Sequence, residues 1–300
     1  MDTYLTATKT IAIQGVSGSF HEIAARKFFG EAIELSMCNS FPALFDCLEE
    51  GKADYGVMAI ENTVAGTLLP NYALLRNSQY RVIGEIYLRI QHNLMSMPGQ
   101  RLEALTEVHS HPMALQQCKV FLKQHPHIRL IEREDTAGSA EWIQQGRRKG
   151  VAAIASTAAA RHFELEVLAA GIEDNPLNFT RFLVLAPEDQ SKRRTQQADK
   201  ASLCFSLGHE VGCLSQVLLI LSAHGLNLSK IQSLPIVGRA WEYFFHVDLE
   251  FEQIEQFERC LLAIGHLAKD LKILGIYPRG DRKDHLPPAS MKADPKEVGS

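Results

Sequence analysis

Apolar residues over positions 8–187 follow two rhythms. Short apolar runs at Thr10–Gln14, Gly56–Ile60, Val151–Ala155 and Phe182–Leu185 read as buried strands. Between them, apolar residues recur every three or four positions. Phe41, Leu44, Phe45 and Leu48 share one helical face, with Asn39 or Ser40 placed to cap it and Pro42 in its first turn. Further helices are expected through Ala24, Ala25 and Phe28, near Ala114–Leu122 and from Thr136; further strands cover Tyr80–Ile90 and Ile128–Ile131. This alternation predicts an α/β domain with a largely parallel sheet, the architecture that binds ligands beyond the carboxyl ends of its strands.

The rhythm breaks at Pro187–Lys200, a stretch without a large apolar residue that reads as a linker. Beyond it come a strand at Ser202–Leu207 and a helical stripe of Leu214, Val217, Leu218 and Leu221. Strands Leu226–Ile236 and Ala240–Phe251 follow, joined at Gly238. A second stripe of Phe257, Leu261, Ile264 and Ala268 leads to a last strand, Lys272–Tyr277. The order βαββαβ is ferredoxin-like, which by itself names no function. Residues 280–300 hold Pro287, Pro288 and Pro295 among polar residues and are expected to be disordered.

Composition changes this picture little. With 300 residues, 46% of them hydrophobic, the chain can bury a core in about two domains. A net charge of −4 makes no basic field, which argues against a nucleic-acid partner. The segment MDTYLTATKT has no apolar core of a secretory signal, and the longest apolar run, Cys213–Ala223, is interrupted by Ser and Gln. No membrane span and a cytoplasmic location are therefore expected. Six scattered cysteines without a CxxC pair suit reduced, buried thiols.

Four polar segments stand at predicted strand ends. Gly15-Val16-Ser17-Gly18-Ser19-Phe20 fits a structural turn or an anion cradle at a helix N-terminus. Ile60-Glu61-Asn62-Thr63 follows an apolar strand, where a cleft would open or a helix cap would sit. In Ser110-His111-Pro112, Ser110 fits an N-cap; Gln117 follows in Gln116-Gln117-Cys118, a neutral amide able to donate and accept. His109 and His111 lack a third ligand, so no metal is expected. Asn178-Phe179-Thr180-Arg181-Phe182 offers a hydroxyl and a guanidinium, or only a surface turn. No serine-hydrolase triad, phosphate loop or dinucleotide fingerprint is present.

In order, GVSGSF, ADYGVMAIENT, VHSHPMALQQC, DTAGSA, AAIAS and NFTRF resemble the prephenate dehydratase domain, over most of residues 10–187. The resemblance implies a catalytic domain at 8–187 built as two lobes like periplasmic binding proteins. The second lobe would span about 89–162, with the site in the cleft. A linker at 188–199, a regulatory domain at 200–279 and a tail at 280–300 would follow. It implies conversion of prephenate to phenylpyruvate, water and carbon dioxide, with no cofactor and no metal. Arogenate is the alternative substrate, and a non-catalytic amino-acid sensor the alternative function. The family's functional residues map to Thr180, Asn62 and Gln117. Thr180 is the expected proton donor and Arg181 the expected clamp on the pyruvyl carboxylate. Phe182, Ser110, Thr136, Ala137, Glu61, Thr63 and Ser19 complete the expected substrate-binding set. Ala59, Met113, Val16, His21 and Glu22 depart from the family's usual residues.

The C-terminal part is similar to ACT domains that bind phenylalanine. One effector motif is present as Gly212-Cys213-Leu214-Ser215; the other, usually Glu-Ser-Arg-Pro, stands as Gln232-Ser233-Leu234-Pro235. L-phenylalanine is the implied effector and a homodimer or homotetramer the implied assembly. A self-contained regulatory domain would leave the catalytic half active without it.

Overall fold

The chain's first lobe grows outward from its most apolar strand. In β1 (Lys9–Gln14), Ile11, Ala12 and Ile13 are fully buried, and the strand pairs in parallel with β2 (Ile33–Cys38) and β3 (Tyr55–Asn62). The computed structural model describes residues 8–191, 197–236, 238–239 and 241–281. Helix α1 (Phe20–Phe29) starts where the Ser19 hydroxyl accepts from the Glu22 N–H; α2 (Phe41–Glu49) starts where Ser40 accepts from Ala43, with Pro42 in the first turn. A two-residue strand β4 (Gly66–Thr67) folds back on β3, α3 (Leu69–Asn77) follows, and β5 (Tyr80–Arg89) leads out of the lobe.

The second lobe is a five-stranded sheet. It holds β6 (Asn93–Ser96), β7 (Glu107–Ser110), β8 (Arg129–Glu132), β9 (Val151–Ala155) and β10 (Glu166–Ala169), in the order β10-β6-β9-β7-β8. Its helices are α4 (Pro112–Gln117), α5 (Lys119–Lys123), α6 (Thr136–Gln145) and α7 (Thr157–His162). Two expectations are corrected here. The lobe runs past His162, because residues 166–169 add an antiparallel edge strand to β6. The helix expected over 114–122 breaks at Cys118, where the Asp174 carboxylate accepts the N–H groups of Lys119 and Val120 at 3.1 and 2.9 Å.

The chain returns through β11 (Phe179–Pro187), which lies between β5 and β3 and is antiparallel to both. The first-lobe sheet is therefore mixed, not largely parallel. The cause is geometric: β5 leaves and β11 re-enters at the same interlobe boundary, so Phe179 faces Arg89 and the two strands run in opposite directions. A short helix α8 (Glu188–Ser191) ends this part; residues 192–196, within the expected linker, and 282–300, within the expected tail, lie outside the described residues.

The remaining elements are β12 (Lys200–Ser206), α9 (Cys213–Ala223), β13 (Asn227–Pro235), β14 (Tyr243–Glu250), α10 (Ile254–Ile264) and β15 (Lys269–Tyr277), in βαββαβ order. They have their own apolar core, including Leu203, Phe205, Val217, Leu249 and Phe257. Their sheet nevertheless continues into the first lobe, giving the order β13-β14-β12-β15-β5-β11-β3-β1-β2. The joint is Gly275 of β15 against Val82 of β5; a Cβ at 275 would lie 2.2 Å from the Val82 carbonyl oxygen, so only glycine permits the approach. Arg76 of α3 stacks on Phe244 at 4.0 Å, and the Lys272 ammonium donates to the Ser78 carbonyl at 2.6 Å. Cys38, Cys47, Cys118, Cys204 and Cys260 are buried thiols. Among the described residues no helix is long and apolar enough to cross a membrane.

His246 sits inside this joint, 4.8 Å from the Tyr72 ring. It is 2% exposed, and neither ring nitrogen has a partner among the described residues. Burial pushes its pKa down to about 4, with the nearby Arg76 charge acting in the same direction. The folded state therefore resists a proton that the unfolded chain accepts below its ordinary value of 6.5. Stability should fall as the pH drops from 6.5 toward 4. His246→Phe should lessen that loss by about 2 kcal/mol between pH 7.5 and 5, measured by urea denaturation at both pH values.

Candidate active site

Between the lobes lies a cavity of about 740 Å³. Two segments, 90–92 and 170–178, cross from lobe to lobe at its base; the Ile90 N–H donates to the Asn178 carbonyl at 2.8 Å. The lobes also touch at Gly18, whose carbonyl accepts from the Ser156 hydroxyl at 2.6 Å. A Cβ at Gly18 would meet the Ala159 Cα at 2.5 Å, so this close approach needs glycine.

The polar residues of the cavity form one connected chain of hydrogen bonds. Strand alternation turns Thr180 and Phe182 of β11 toward the cleft. The Asn62 side-chain amide donates to Thr180 Oγ1 at 2.9 Å and to Asn178 Oδ1 at 2.8 Å. Asn178 Nδ2 donates to Gln117 Oε1 at 2.9 Å, which also takes His92 Nε2–H at 2.9 Å. Asn62 Oδ1 is occupied by the N–H groups of Val64 and Ala65 at 2.9 and 2.7 Å, so the same side chain builds the turn after β3. Three groups of the network remain without a partner among the described residues: the Thr180 hydroxyl proton, the Gln117 amide N–H donors and His92 Nδ1.

The electrostatics are unusual for a site this polar. Among the described residues, no lysine or arginine lines the cavity. Burial lowers the pKa of His92, a shift opposed by its bond to Gln117 and by the Glu173 charge, and drives that of His21 down to about 3. Both rings are neutral near pH 7. His21 Nε2 accepts the Ala59 N–H at 3.3 Å, and its ring packs edge-on to Phe182 at 5.0 Å. Positive potential comes instead from the N-termini of α1 and α2, whose neutral caps Ser19 and Ser40 line the cavity; the N-terminus of α6 is met by its own cap, the Asp135 carboxylate. Burial raises the pKa of Asp135, partly offset by the N–H groups of Gly138 and Ala137.

Of the expected site residues, Thr180, Asn62, Gln117, Phe182, Thr136 and Ser19 line this cavity. The others do not. Arg181 is corrected as a substrate clamp, because alternation turns it to the opposite face of β11. There its guanidinium pairs with Glu85 at 2.7 Å and with Asp248, and donates to the Tyr277 hydroxyl at 3.1 Å. Glu61 and Thr63, flanking Asn62, also face away. Glu61 pairs with Lys230 at 2.8 Å; the Thr63 hydroxyl donates to the Leu177 carbonyl and accepts the Phe179 N–H, both at 2.9 Å. Ser110 is fully buried and donates to the Ile154 carbonyl at 2.7 Å, while His111 caps α4 in its place. Ala137 is fully buried beside β9. His109 is held by Glu107 at 2.8 Å and lies against Trp142.

His92 and Asn178 are the members of the network that sequence reasoning passed over. Asn178 was visible at the head of its segment; His92 stands at the end of a long strand with no motif around it. In the C-terminal part, Cys213 and Leu214 line a small cavity of about 160 Å³ with Leu207, Trp241 and Tyr243. Gly212, in the left-handed conformation, caps α9. Ser215 and Gln232, Ser233, Leu234 and Pro235 are outside that cavity among the described residues; Gln232 donates to the Ser233 carbonyl at 3.0 Å on edge strand β13.

Fold and cleft place the chain among two-lobed α/β proteins that take a small molecule between their lobes. A model described as prephenate dehydratase matches residues 11–190. The bifunctional chorismate mutase/prephenate dehydratase of Aquifex aeolicus is 36% identical over 271 residues, 90% of this chain and 73% of that protein. Arogenate dehydratase 2 of Petunia hybrida is 36% identical over 89% of this chain and 71% of its own. Among solved structures, the prephenate dehydratase of Arthrobacter aurescens in complex with L-Phe superposes with a TM-score of 0.81 at 27% identity, over 93% of this chain and 92% of that one. GqqA, described as a quorum quenching acylase, gives 0.82 at 27% identity, over 90% and 98%. The chain belongs to the prephenate dehydratase family, and it is a lyase.

Thr180→Val keeps the shape of a side chain that is 8% exposed and leaves Asn62 its bond to Asn178. The variant should fold, and its dehydratase turnover should fall about 10²–10⁴-fold, the usual contribution of a positioned proton donor. Thr180→Ser should retain most activity. Steady-state assays of the two variants together check the role of the hydroxyl.

Proposed function

We propose that this protein converts prephenate to phenylpyruvate, water and carbon dioxide. The observation that carries the reading is the Asn62-to-Thr180 hydrogen bond. It occupies a lone pair of the Thr180 oxygen and so leaves the hydroxyl proton aimed at the cleft. In the reaction the bond between the ring and its carboxylate breaks, and its electron pair enters the ring. The ring hydroxyl leaves with the electrons of its own bond and takes up a proton to become water. Thr180 supplies a hydrogen bond, or relays a proton, to that hydroxyl.

The rest of the cavity suits a dianion that must lose one charge as carbon dioxide. The N-termini of α1 and α2 and the Gln117 amide attract carboxylates without a localised cation. A lysine or arginine on the ring carboxylate would stabilise the ground state and oppose its departure. Phe20, Phe41 and Phe182 supply an apolar wall for the ring. An acylase reading has less support: among the described residues, no serine, threonine or cysteine of the cavity hydrogen-bonds to a histidine.

Arogenate is a second reading with an observation behind it. Glu134 and Asp135 line the cavity, and a carboxylate there favours an amino group over a keto group. The Petunia hybrida relative, named an arogenate dehydratase, supports the same reading. Ultraviolet detection of phenylpyruvate from prephenate, with phenylalanine formed from arogenate measured in parallel, is the test. Higher kcat/KM with prephenate is expected; no release of carbon dioxide from either compound would refute the dehydratase reading for this chain.

The C-terminal βαββαβ unit is proposed to be an ACT domain that senses phenylalanine and joins copies of the chain into a homo-oligomer. The support is its element order, the Gly212–Ser215 turn, and the exposed Leu219, Ile231 and Leu262 on its two helices and edge strand. That the Arthrobacter aurescens structure holds L-Phe agrees with this. Gln232 offers the ammonium of an amino acid a neutral acceptor where the family usually has a charged one. Gln232→Glu should therefore tighten phenylalanine binding by about 1 kcal/mol, the difference between a neutral and a charge-assisted bond. Calorimetric titration of both proteins measures it. Equal affinities would mean that position 232 does not meet the ammonium.

A further inference from the structure

We propose that the C-terminal unit positions the catalytic pair of the cleft from behind, through Arg181 and Glu61. This rests on the reading of Thr180 as the proton donor. Thr180 and Asn62 are register partners on β11 and β3, and the next pair in the ladder is Arg181 and Glu61. Alternation turns the first pair into the cleft and the second away from it. Each outward residue is then held by the C-terminal unit. Glu61 meets Lys230 of β13 at 2.8 Å; Arg181 meets Asp248 of β14 and the Tyr277 hydroxyl of β15, the latter at 3.1 Å.

The grip on Arg181 is withdrawn from the surface, with a small cavity of about 200 Å³ beside it that Arg181, Lys200 and Asp248 line together with Glu61 and Lys230. Arg181, Glu85, Lys200, Asp248 and Tyr277 are between 0% and 5% exposed. Glu85 of β5 pairs with both Arg181 and the Lys200 ammonium, at 2.7 and 3.0 Å. Ser202 bonds both Asp248 and the Tyr277 hydroxyl, at 2.5 and 2.6 Å. Two cations meet Glu85 and Asp248, with Glu250 a further 3.9 Å from the Lys200 ammonium, and each cage member is fixed from at least two sides.

The support falls where one of the two flanking ladders is interrupted. The β11–β3 register slips between Arg181 and Phe182, on the side that carries Asn62, while the β11–β5 ladder runs regularly from Phe179 to Val184. Arg181 is the bolt that crosses the irregularity. A shift of its guanidinium carries the Thr180 hydroxyl with it, because one peptide unit joins them. Lys230, which holds Glu61, lies on β13, the strand that also carries Gln232–Pro235. A chain ending near Lys200, expected to retain some activity, would on this proposal retain it at a reduced level: removing β14 and β15 strips two of the three C-terminal holds, and removing β13 strips the third.

The test uses the full chain with Tyr277→Phe, which deletes one hydroxyl and buries no charge, and with Asp248→Asn. Two readouts are taken: kcat and KM, and the ¹³C-methyl resonance of Thr180, assigned by its loss in Thr180→Val. Tyr277→Phe should lower kcat about tenfold with KM within about twofold, and should move the Thr180 methyl signal; misplacing a catalytic group by a fraction of an ångström has effects of this size. Asp248→Asn should do both more strongly. A folded Tyr277→Phe protein whose Thr180 signal stays in place overturns the proposal, whatever its turnover. If the wild type turns over neither prephenate nor arogenate, the assigned function fails, while the methyl signal still decides whether the C-terminal unit sets the position of Thr180.

Discussion

A β-strand must present successive side chains to opposite sides, and this molecule hangs its chemistry on that constraint at β11. Thr180 faces the cleft, Arg181 faces a buried charge cage, and Phe182 faces the cleft again. The strand is also the structural centre of the first lobe, lying between β5 and β3. A buried, paired charge is weak evidence for stability, because desolvation offsets much of the attraction. Its better-attested use is to set register, and here it sits beside a position where the β11–β3 register is disturbed.

The cleft works with the opposite electrostatic strategy. Where the cage pairs formal charges of both signs away from the cleft, the cavity sets neutral amides, a hydroxyl, two neutral imidazoles and the N-termini of α1 and α2 opposite the Glu134 and Asp135 carboxylates. A diffuse positive field can attract a dicarboxylate without fastening on either carboxylate. Dipoles held by a folded backbone also need no reorganisation as charge moves from the carboxylate into the ring and out with the hydroxyl. Asn62 shows how economical the arrangement is: its oxygen holds the turn after β3, and its nitrogen orients both Thr180 and Asn178.

Much of this was legible from the chain alone. Buried strands wrote themselves as apolar runs, and Ser40 with Pro42 marked a helix start that the fold uses. Thr180, Asn62 and Gln117 were singled out by the resemblance of their segments to the prephenate dehydratase family, since the polar pattern alone fitted caps and turns equally well. What could not be read was direction and distance. A guanidinium next to a candidate catalytic hydroxyl invites a binding role, and only its partners, 67 and 96 positions away, reveal that it belongs to another interface. The sheet could not be known to be mixed until β11 was seen to enter where β5 leaves. His92 escaped because its place in the network depends on Gln117, which sits on the other lobe's first helix, and no local pattern records that meeting.

The return of the chain through β11 also governs the order of assembly. Strands β5 and β11 form the most extensively paired couple of the first lobe, yet the whole second lobe lies between them in sequence. A chain emerging from the ribosome can pair β1, β2 and β3 early, but β3 and β5 stay as open edges until the second lobe has been made. The second lobe, by contrast, is continuous in sequence and can close on itself first. The insertion thus becomes a folding unit that its host waits for, and the last central strand of the catalytic lobe docks only a few residues before the strand that begins the C-terminal unit.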